Sequence, residues 1–272
     1  MDAFKWESFG SSPYEQTPYI MLAPTKFKYD GYAGEMDTWE RYGNWISLLG
    51  QGRSELNEAT KLKVHELVNG KNTIEEKARV LYEYMQNKTR YVSIQLGIGG
   101  LQPFEASVVD QTGYGDCKAL SNYMVALLEE VGIKGYYALI NAGRGAAPVQ
   151  TDLPSHQFNH AIVAVPNGLD TLWLECTSQT NPFGYLGTFT SDRYALLISD
   201  QGSKLVKTPT YDEYQNLQTR KADVFVSKNG EAQVSISTTY TGLQYENDGL
   251  YAVLNQKDAL EKWLNRNINI PS

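Results

Sequence analysis

The sequence predicts an α+β protein in which helices pack on an antiparallel sheet, followed by a partial β-rich region at the C-terminal end. The chain contains segments whose apolar residues recur at helical spacing and segments in which apolar and polar residues alternate. Two Asn-Gly pairs, Asn167-Gly168 and Asn229-Gly230, stand between alternating segments and predict hairpins of antiparallel strands.

Three regions differ in composition and pattern. Residues 1–50 are rich in Tyr, Trp, Gly and Pro with little periodicity, which predicts an irregular lead-in at the end of an N-terminal flanking region. Residues 51–208 hold the predicted core. Residues 209–272 begin with a linker-like stretch and predict the start of a truncated β-rich domain, because an isolated hairpin is only marginally stable. We therefore expect this sequence to be part of a longer chain.

Three helices are predicted in the core. The first covers about residues 54–68. The second follows Thr73, which forms a Thr-x-x-Glu capping box with Glu76. The third begins at or beside Cys117, carries apolar residues at three- and four-residue steps, and ends before Gly132.

Strands are predicted between and after these helices, over residues 91–96, 135–142, 158–165, 171–177 and 193–199. The glycine-rich stretch 97–100 is predicted to be a loop, since no helix pattern follows it as a phosphate-binding motif requires. In the C-terminal region, residues 222–227 and 231–237 form the second predicted hairpin, and a short helix is predicted near 257–265.

Composition and charge argue against several classes of partner. The net charge is −7 and the isoelectric point is near 5.1. The sequence contains no cluster of basic residues that could bind nucleic acid or an anionic membrane. No apolar run reaches the ~18 residues of a spanning helix, and no signal-peptide pattern is visible. Two cysteines and three histidines are few for a metal site, so we expect neither metal nor other cofactor. His156 and His160 are four residues apart, but in a predicted loop and strand, where helical ligand spacing does not apply.

Cys117 stands where a thiol would be activated. Gly115 and Asp116 precede it, and a helix begins at or beside it, so free N–H groups and the positive end of the helix would favour the thiolate. The same N–H groups could bind the oxyanion that develops on an attacked carbonyl. The alternative is that Cys117 is a small buried apolar residue, which is the commoner role for a cysteine taken at random.

The first predicted hairpin brings a histidine to a carboxylate. If its turn centres on Asn167-Gly168, His160 lies directly opposite Glu175, with Cβ atoms about 4.5–5.5 Å apart. A four-residue loop around the same turn keeps this register. The carboxylate would orient the imidazole and stabilise its protonated form. A purely structural His–Glu pair is the alternative.

The same alternation assigns other side chains to the two faces of this hairpin. Glu175 shares the face of His160, whereas Cys176 points to the opposite face together with Leu174. Cys176 is therefore predicted to be part of the core. A disulfide between the two cysteines is not expected, which leaves Cys117 as a free thiol.

Taken together, these motifs resemble the transglutaminase-like superfamily, which has a papain-like fold. The motifs are Gly115-Asp116-Cys117-Lys118, Asn159-His160 and Trp173-Leu174-Glu175-Cys176-Thr177, with Thr89-Arg90-Tyr91 and Pro182-Phe183-Gly184-Tyr185-Leu186 similar as well. The resemblance covers about residues 35–205. It is nearest to bacterial members common in Bacteroidetes, which carry a β-rich domain on each side of the core.

The resemblance implies a triad with Cys117 as the nucleophile, His160 as general base and acid, and Glu175 in the acid position. Members of the superfamily usually carry Asp at that last position, so the side chain here is one methylene longer. The family also uses an oxyanion donor upstream of the cysteine. Gln95 and Gln102 are both candidates for that donor.

Residues beside the catalytic motifs, Tyr114, Asp116 and Asn159, are candidate substrate-binding residues. The implied activity is acyl transfer or hydrolysis at an amide bond of a protein or peptide, as in a peptidase, deamidase or transglutaminase. The alternative is an inactive domain that binds protein or glycan in an exported protein, and a scaffold role for the flanking β regions in a cell-surface complex is a third reading. The resemblance implies a periplasmic or cell-surface location, with no nucleic-acid partner and no membrane insertion.

Overall fold

The computed structural model describes residues 18–254 and 256–267, and residues 1–17 of the predicted lead-in lie outside this range. The chain divides into two compact units, one that ends at Thr208 and one that begins at Pro209. The first unit combines helices with an antiparallel sheet, so the predicted α+β class is confirmed.

The first unit contains nine strands and six helices among the described residues. The strands are β1 (Lys26–Tyr29), β2 (Tyr32–Glu35), β3 (Arg90–Tyr91), β4 (Tyr114–Gly115), β5 (Tyr136–Ile140), β6 (His160–Asn167), β7 (Asp170–Leu174), β8 (Tyr194–Leu197) and β9 (Lys204–Lys207). The helices are α1 (Trp39–Gly50), α2 (Glu58–Val68), α3 (Ile74–Lys88), α4 (Ala106–Thr112), α5 (Cys117–Glu130) and α6 (Gly187–Thr190). The last five strands form one antiparallel sheet in the order β7-β6-β5-β8-β9.

Helix α5 is buried along most of its length and packs on the central sheet. Its apolar residues, such as Leu120 and Met124, share one core cluster with α2, α3 and the strand residues Val163 and Leu174. Truncating one of these large side chains to Ala would cost about 2–5 kcal/mol. This packing fixes the position of the helix whose first residue is Cys117.

The predicted capping box at the start of α3 is confirmed. The backbone N–H of Glu76 donates to the Thr73 hydroxyl at 3.1 Å, and the Thr73 N–H donates to the Glu76 carboxylate at 3.0 Å. Such a cap stabilises a helix by about 1 kcal/mol. On the same helix, the Tyr82 hydroxyl donates to the backbone carbonyl of Glu175 at 2.8 Å, which ties α3 to the segment after β7.

The prediction of an irregular lead-in over residues 1–50 is wrong for its second half. Strands β1 and β2 form a tight hairpin whose turn residues, Asp30 and Gly31, have positive φ angles of 48° and 91°. An Asp-Gly pair between short strands is a strong hairpin signal. The aromatic and glycine-rich composition of the region masks it.

Helix α1 also corrects the lead-in prediction. Tyr42, Trp45 and Leu49 recur at helical spacing and are buried. They share a second core cluster with Leu139 and Leu196 of the central sheet. Helix α1 therefore belongs to the first unit, because its apolar stripe is covered by that sheet and not by a separate flanking region.

The structure differs from the sequence-based prediction in three further places, all between α3 and α5. The predicted strand over residues 91–96 is reduced to β3, two residues that pair in parallel with β4. Gly97–Gly100 forms a short 3-10 helix in place of a loop. Helix α4 has no counterpart among the predicted helices, because seven residues are too few to show a clear helical period.

The first predicted hairpin forms, but its register differs from the prediction by two residues. Asn167 pairs with Asp170, so the turn consists of Gly168 and Leu169. Gly168 has a φ of 66°, a conformation that glycine adopts without steric cost. A shift of two residues keeps every side chain on its face of the sheet. The assignment of Cys176 to the core is accordingly confirmed.

The second unit consists of a hairpin and short helices. Its elements are β10 (Gln218–Val226), β11 (Ala232–Tyr240), a 3-10 helix (Gly242–Gly249), α7 (Leu250–Val253) and α8 (Lys257–Asn267). Strands β10 and β11 form a two-stranded sheet among the described residues. Val224 pairs with Val234 and Ala222 with Ile236, so one face of this hairpin is apolar and exposed.

Candidate active site

Cys117 is the first residue of α5, and its side chain is buried. The Asp116 carboxylate caps this helix, because it accepts a hydrogen bond from the Ala119 N–H at 3.0 Å. Asp116 also forms a buried ion pair with Lys118. The sulfur therefore lies at the positive end of a well-capped helix, where an anion is stabilised.

His160 is the first residue of β6 and is buried together with Glu175. The Nε2 atom of the imidazole lies 2.9 Å from one carboxylate oxygen of Glu175 and 3.1 Å from the other. The carboxylate is itself held by Thr177, whose hydroxyl and backbone N–H donate to Oε1 at 2.6 and 3.1 Å. The pair is thus fixed in orientation, and Nδ1 is the ring nitrogen left for another partner.

The environment of this pair stabilises its charged form. Burial would lower the pKa of His160, but the Glu175 carboxylate and the Cys117 thiol beside the ring raise it to about 10. Burial would likewise raise the pKa of Glu175, but His160 and the Thr177 donors lower it below its usual value. An imidazolium and a carboxylate are therefore the stable states of the two groups near neutral pH.

The two-residue register difference changes the distance that the Glu175 side chain spans to reach His160. In the observed register His160 and Glu175 are diagonal neighbours, not directly opposite ones, and strand β7 ends at Leu174. Diagonal positions are about 7–8 Å apart at Cα, farther than directly opposed ones. The extra methylene of glutamate, compared with aspartate, helps to span this larger separation.

A cleft of about 260 Å³ joins these groups. The described residues that line it are Ile46, Gln95, Gly100, Leu101, Cys117, Lys118, Leu139, His156, Phe158, Asn159 and His160. The thiol and the imidazole therefore face the same small space, with apolar side chains on one part of the wall and polar groups on another. Glu175 lies behind the imidazole, outside the cleft lining.

The two oxyanion candidates have different surroundings. Gln95 is exposed and lines the cleft that contains Cys117. The Nε2 amide of Gln102 donates to the backbone carbonyl of Leu49 at 3.1 Å, so it holds the C-terminal end of α1. Of the two glutamines, Gln95 is the one that lines the cleft containing Cys117.

The three candidate substrate-binding residues are also separated. Asn159 lines the cleft, but its side-chain amide bonds the backbone N–H and carbonyl of Ala142 at 2.7 and 3.0 Å. Asp116 serves as the helix cap, and Tyr114 lies in β4, where it pairs with Arg90. Within the part of the chain that the structure describes, neither Asp116 nor Tyr114 lines the cleft.

The second cysteine has a different environment. Cys176 and Cys117 are both buried free thiols. Burial and the nearby Glu175 carboxylate raise the pKa of Cys176 well above its usual value. Cys176 also belongs to the apolar cluster under α5 and does not line the cleft, as far as the described residues show. Burial in this cluster and the raised pKa both disfavour reaction of the Cys176 thiol in the folded protein.

Two polar residues that line the cleft, Lys118 and His156, are absent from the sequence-based site. Lys118 lies directly after Cys117 in the Gly115-Asp116-Cys117-Lys118 motif, so its position next to the cleft could have been inferred from the sequence. His156 lines the cleft, and its Nδ1 lies 2.5 Å from the hydroxyl of Tyr42 on α1. The contact between Tyr42 and His156 could not be inferred from spacing, because it joins two segments separated by more than 100 residues.

None of the described helices combines the length and the apolar character needed to cross a membrane. No group of three or more His, Cys, Asp or Glu side chains in the described ranges is arranged to hold a metal ion.

Two solved structures are similar to this chain. One is a putative protease from Parabacteroides distasonis, 10% identical, with a TM-score of 0.48 and coverage of 82% of this chain and 57% of that one. The other is a putative cysteine protease from Cytophaga hutchinsonii, 13% identical, with a TM-score of 0.36 and coverage of 72% and 56%. This chain thus matches a little over half the length of each protein. No family model and no curated protein matches the chain.

Proposed function

We propose that this protein catalyses acyl transfer or hydrolysis at an amide bond of a protein or peptide, on a papain-like core of the transglutaminase-like type. One observation carries the proposal. The Cys117 thiol and the His160 imidazole line one cleft, and the carboxylate of Glu175, buried behind the ring, binds its Nε2 atom. These are the three chemical roles that a cysteine-dependent acyl transfer requires.

Proton transfer in this site follows from the hydrogen bonds of the imidazole. Because Glu175 binds Nε2, the Nδ1 atom of His160 is the ring nitrogen that holds the proton given up by the Cys117 thiol, so the resting pair is a thiolate and an imidazolium. The raised pKa of His160 favours this transfer. The resulting thiolate lies at the start of α5, where the helix end stabilises negative charge.

The reaction then proceeds in two steps. The Cys117 sulfur attacks the carbonyl carbon of the amide, the C–N bond breaks, and His160 gives its proton to the departing amine, which leaves a thioester. Water or a second amine next attacks the thioester carbon, His160 accepts the proton of that nucleophile, and the thiolate is released. Backbone N–H groups at the start of α5, with the side-chain amide of Gln95, would bind the oxyanion in both steps.

Alkylation with iodoacetamide tests the proposed nucleophile. We expect Cys117 to be alkylated in native protein, and Cys176 only after unfolding, because Cys176 is enclosed in the core. Cys117→Ala should abolish both labelling and any amide-directed activity, with a small effect on unfolding. Equal labelling of both thiols in native protein would contradict the proposal.

Mass spectrometry after incubation with mixed peptides and amines identifies the reaction class. New amide links indicate amine transfer, whereas a gain of water at a cleaved or deamidated site indicates hydrolysis. Neither product, together with an unreactive Cys117, would favour the alternative of an inactive binding module. We also propose a periplasmic or cell-surface location, which fractionation of the source cells tests.

A further inference from the structure

The candidate cleft contains a second imidazole that the proposed reaction does not use. His156 lies in the loop before β6 and lines the cleft together with Cys117 and His160. Its side chain is exposed, in contrast to the buried ring of His160. A partly exposed polar ring that lines the same cleft as Cys117 is well placed to contact a substrate.

One nitrogen of this ring is already occupied. The Tyr42 hydroxyl lies 2.5 Å from Nδ1 of His156. Tyr42 is 1% exposed, and no other acceptor for its hydroxyl proton is found among the described residues. A buried hydroxyl without an acceptor is costly, so the hydroxyl donates to Nδ1. Neutral His156 then carries its own proton on Nε2, which makes that nitrogen a donor.

The loop that carries His156 is held firmly. The indole N–H of Trp39 on α1 donates to the Thr151 carbonyl at 2.8 Å. The Trp39 ring also contacts Phe158, with centroids 5.7 Å apart. Within the loop, the Gln157 side chain accepts from the Gln150 N–H and donates to the Leu153 carbonyl, each at 2.8 Å. A donor held in this way keeps one orientation before a substrate arrives.

We infer that the Nε2–H group of His156 binds a backbone carbonyl oxygen of the acyl part of a peptide substrate. The inference rests on the proposed function, because it concerns the cleft that contains Cys117. The apolar side chains of Ile46, Leu101 and Phe158 in the same cleft favour an apolar residue beside that carbonyl. The substrate class is therefore a peptide with an apolar side chain on the acyl side of the amide.

A peptidyl affinity label tests this inference. The probe is N-acetyl-Leu-Phe chloromethyl ketone, whose saturation kinetics separate binding, given by KI, from the limiting alkylation rate, kinact. Cys117 of the wild-type protein should be alkylated with saturation. We expect His156→Leu to raise KI at least about ten-fold, the effect of losing one hydrogen bond of ~1.4 kcal/mol, and to change kinact by less than KI.

Two further variants distinguish donation from space-filling. His156→Gln should stay within about three-fold of the wild-type KI, because the glutamine oxygen can accept from Tyr42 while its amide nitrogen donates to the substrate. Tyr42→Phe should raise KI about three-fold, since the ring loses the partner that selects its tautomer. His65→Leu is the matched control: this exposed histidine pairs with Glu130 outside the cleft and should leave KI unchanged.

Each outcome is decisive. A wild-type KI in His156→Leu, with Cys117 still alkylated, overturns the inference and leaves the proposed function standing. An equal loss in His156→Gln and His156→Leu overturns it too, and so does alkylation of the wild type without saturation. If neither the probe nor iodoacetamide modifies Cys117 in native protein, the proposed function fails first. Thermal unfolding checks each variant, and if His156→Leu does not fold, an unchanged KI in Tyr42→Phe overturns the inference.

Discussion

The hairpin of β6 and β7 and the hairpin of β10 and β11 share one sequence signal, an Asn-Gly pair, and have opposite environments. Each turn contains a glycine with positive φ, 66° at Gly168 and 89° at Gly230. Strand β6 is buried from His160 to Val165, whereas every residue of β10 is exposed. The turn signal thus predicts the hairpin correctly in both places and predicts nothing about its burial.

The difference between the two hairpins decides what an ion pair can do. His160 and Glu175, next to the first hairpin, are removed from water, and their charges shift each other's pKa. Lys221 and Asp223 on the second hairpin are 3.2 Å apart but exposed, and such pairs contribute about 0–1 kcal/mol. The two pairs therefore differ in their pKa shifts and in their contribution to stability.

Glu175→Ala should show the largest effect, because it leaves the buried His160 ring without its carboxylate. Removing one partner of a buried pair costs about 3–5 kcal/mol. The alkylation rate of Cys117 should fall in the same variant, since the His160 ring loses the carboxylate that orients it and stabilises its charge. The matched change, Asp223→Ala, should cost no more than about 1 kcal/mol. Urea unfolding measures the unfolding free energy of both variants. A similar loss of stability in the two variants would contradict the distinction drawn between the hairpins.

The pH dependence of stability should follow the same pair. The pKa of His160 is raised from 6.5 to about 10, so its contribution to folding is complete below pH 6.5 and is lost as pH rises towards 10. The slope in this window approaches ~1.4 kcal/mol per pH unit. The pKa of Glu175 is lowered from its usual value of 4.5. The stabilisation that this carboxylate contributes to folding is therefore complete above pH 4.5 and is lost as the pH falls through the lowered pKa.

Urea midpoints measured from pH 3 to pH 10 check this dependence. In Glu175→Gln the slope between pH 6.5 and 10 should flatten, because the neutral amide no longer holds the imidazolium. A slope equal to that of the wild type would show that the two groups are not coupled. Asp223→Asn, on the exposed hairpin, serves as the control and should keep the wild-type profile.

Core truncations compare the packing of the two hairpins. Ile162→Ala in β6 removes a side chain that is 0% exposed and should cost about 2–5 kcal/mol. Ile236→Ala in β11 removes one that is 40% exposed and should cost less than half as much. Thermal unfolding compares the two. A large effect at Ile236 would show that its apolar face is covered in solution.

Glu175→Asp should show the smallest effect and sharpen the comparison within the first hairpin. The variant keeps the negative charge but shortens the side chain by one methylene, so the carboxylate reaches the diagonal His160 less well. We expect the alkylation rate of Cys117 to fall several-fold and the unfolding free energy to fall by about 1 kcal/mol. An alkylation rate above that of the wild type would contradict the role given to side-chain length.

Much of the local structure follows from patterns within a short window of sequence. The Thr73–Glu76 capping box is confirmed, and so are both Asn-Gly hairpins. The core position of Cys176 was also predictable, because alternation along a strand survives a register error of two residues. Helix α1 and the Asp30-Gly31 turn were predictable in principle, since their spacing and turn residues are typical, but composition obscured them.

The candidate site was predictable in its members and not in its geometry. The order of the motifs that contain Cys117, His160 and Glu175 is enough to propose these three residues from the sequence. The choice between Gln95 and Gln102 needed coordinates, since it depends on which amide is already used by the backbone of α1.

Local patterning specifies elements because helix and strand periods, caps and turns depend on residues a few positions apart. It does not specify which elements cover one another, and this packing brings Glu175 and Cys117 to the buried His160 ring, where they raise its pKa. The hydrogen bond from Tyr42 to His156 and the burial of Glu175 arise from packing between segments far apart in the chain. Long-range burial, which removes water from these polar groups, therefore gives the site its chemistry.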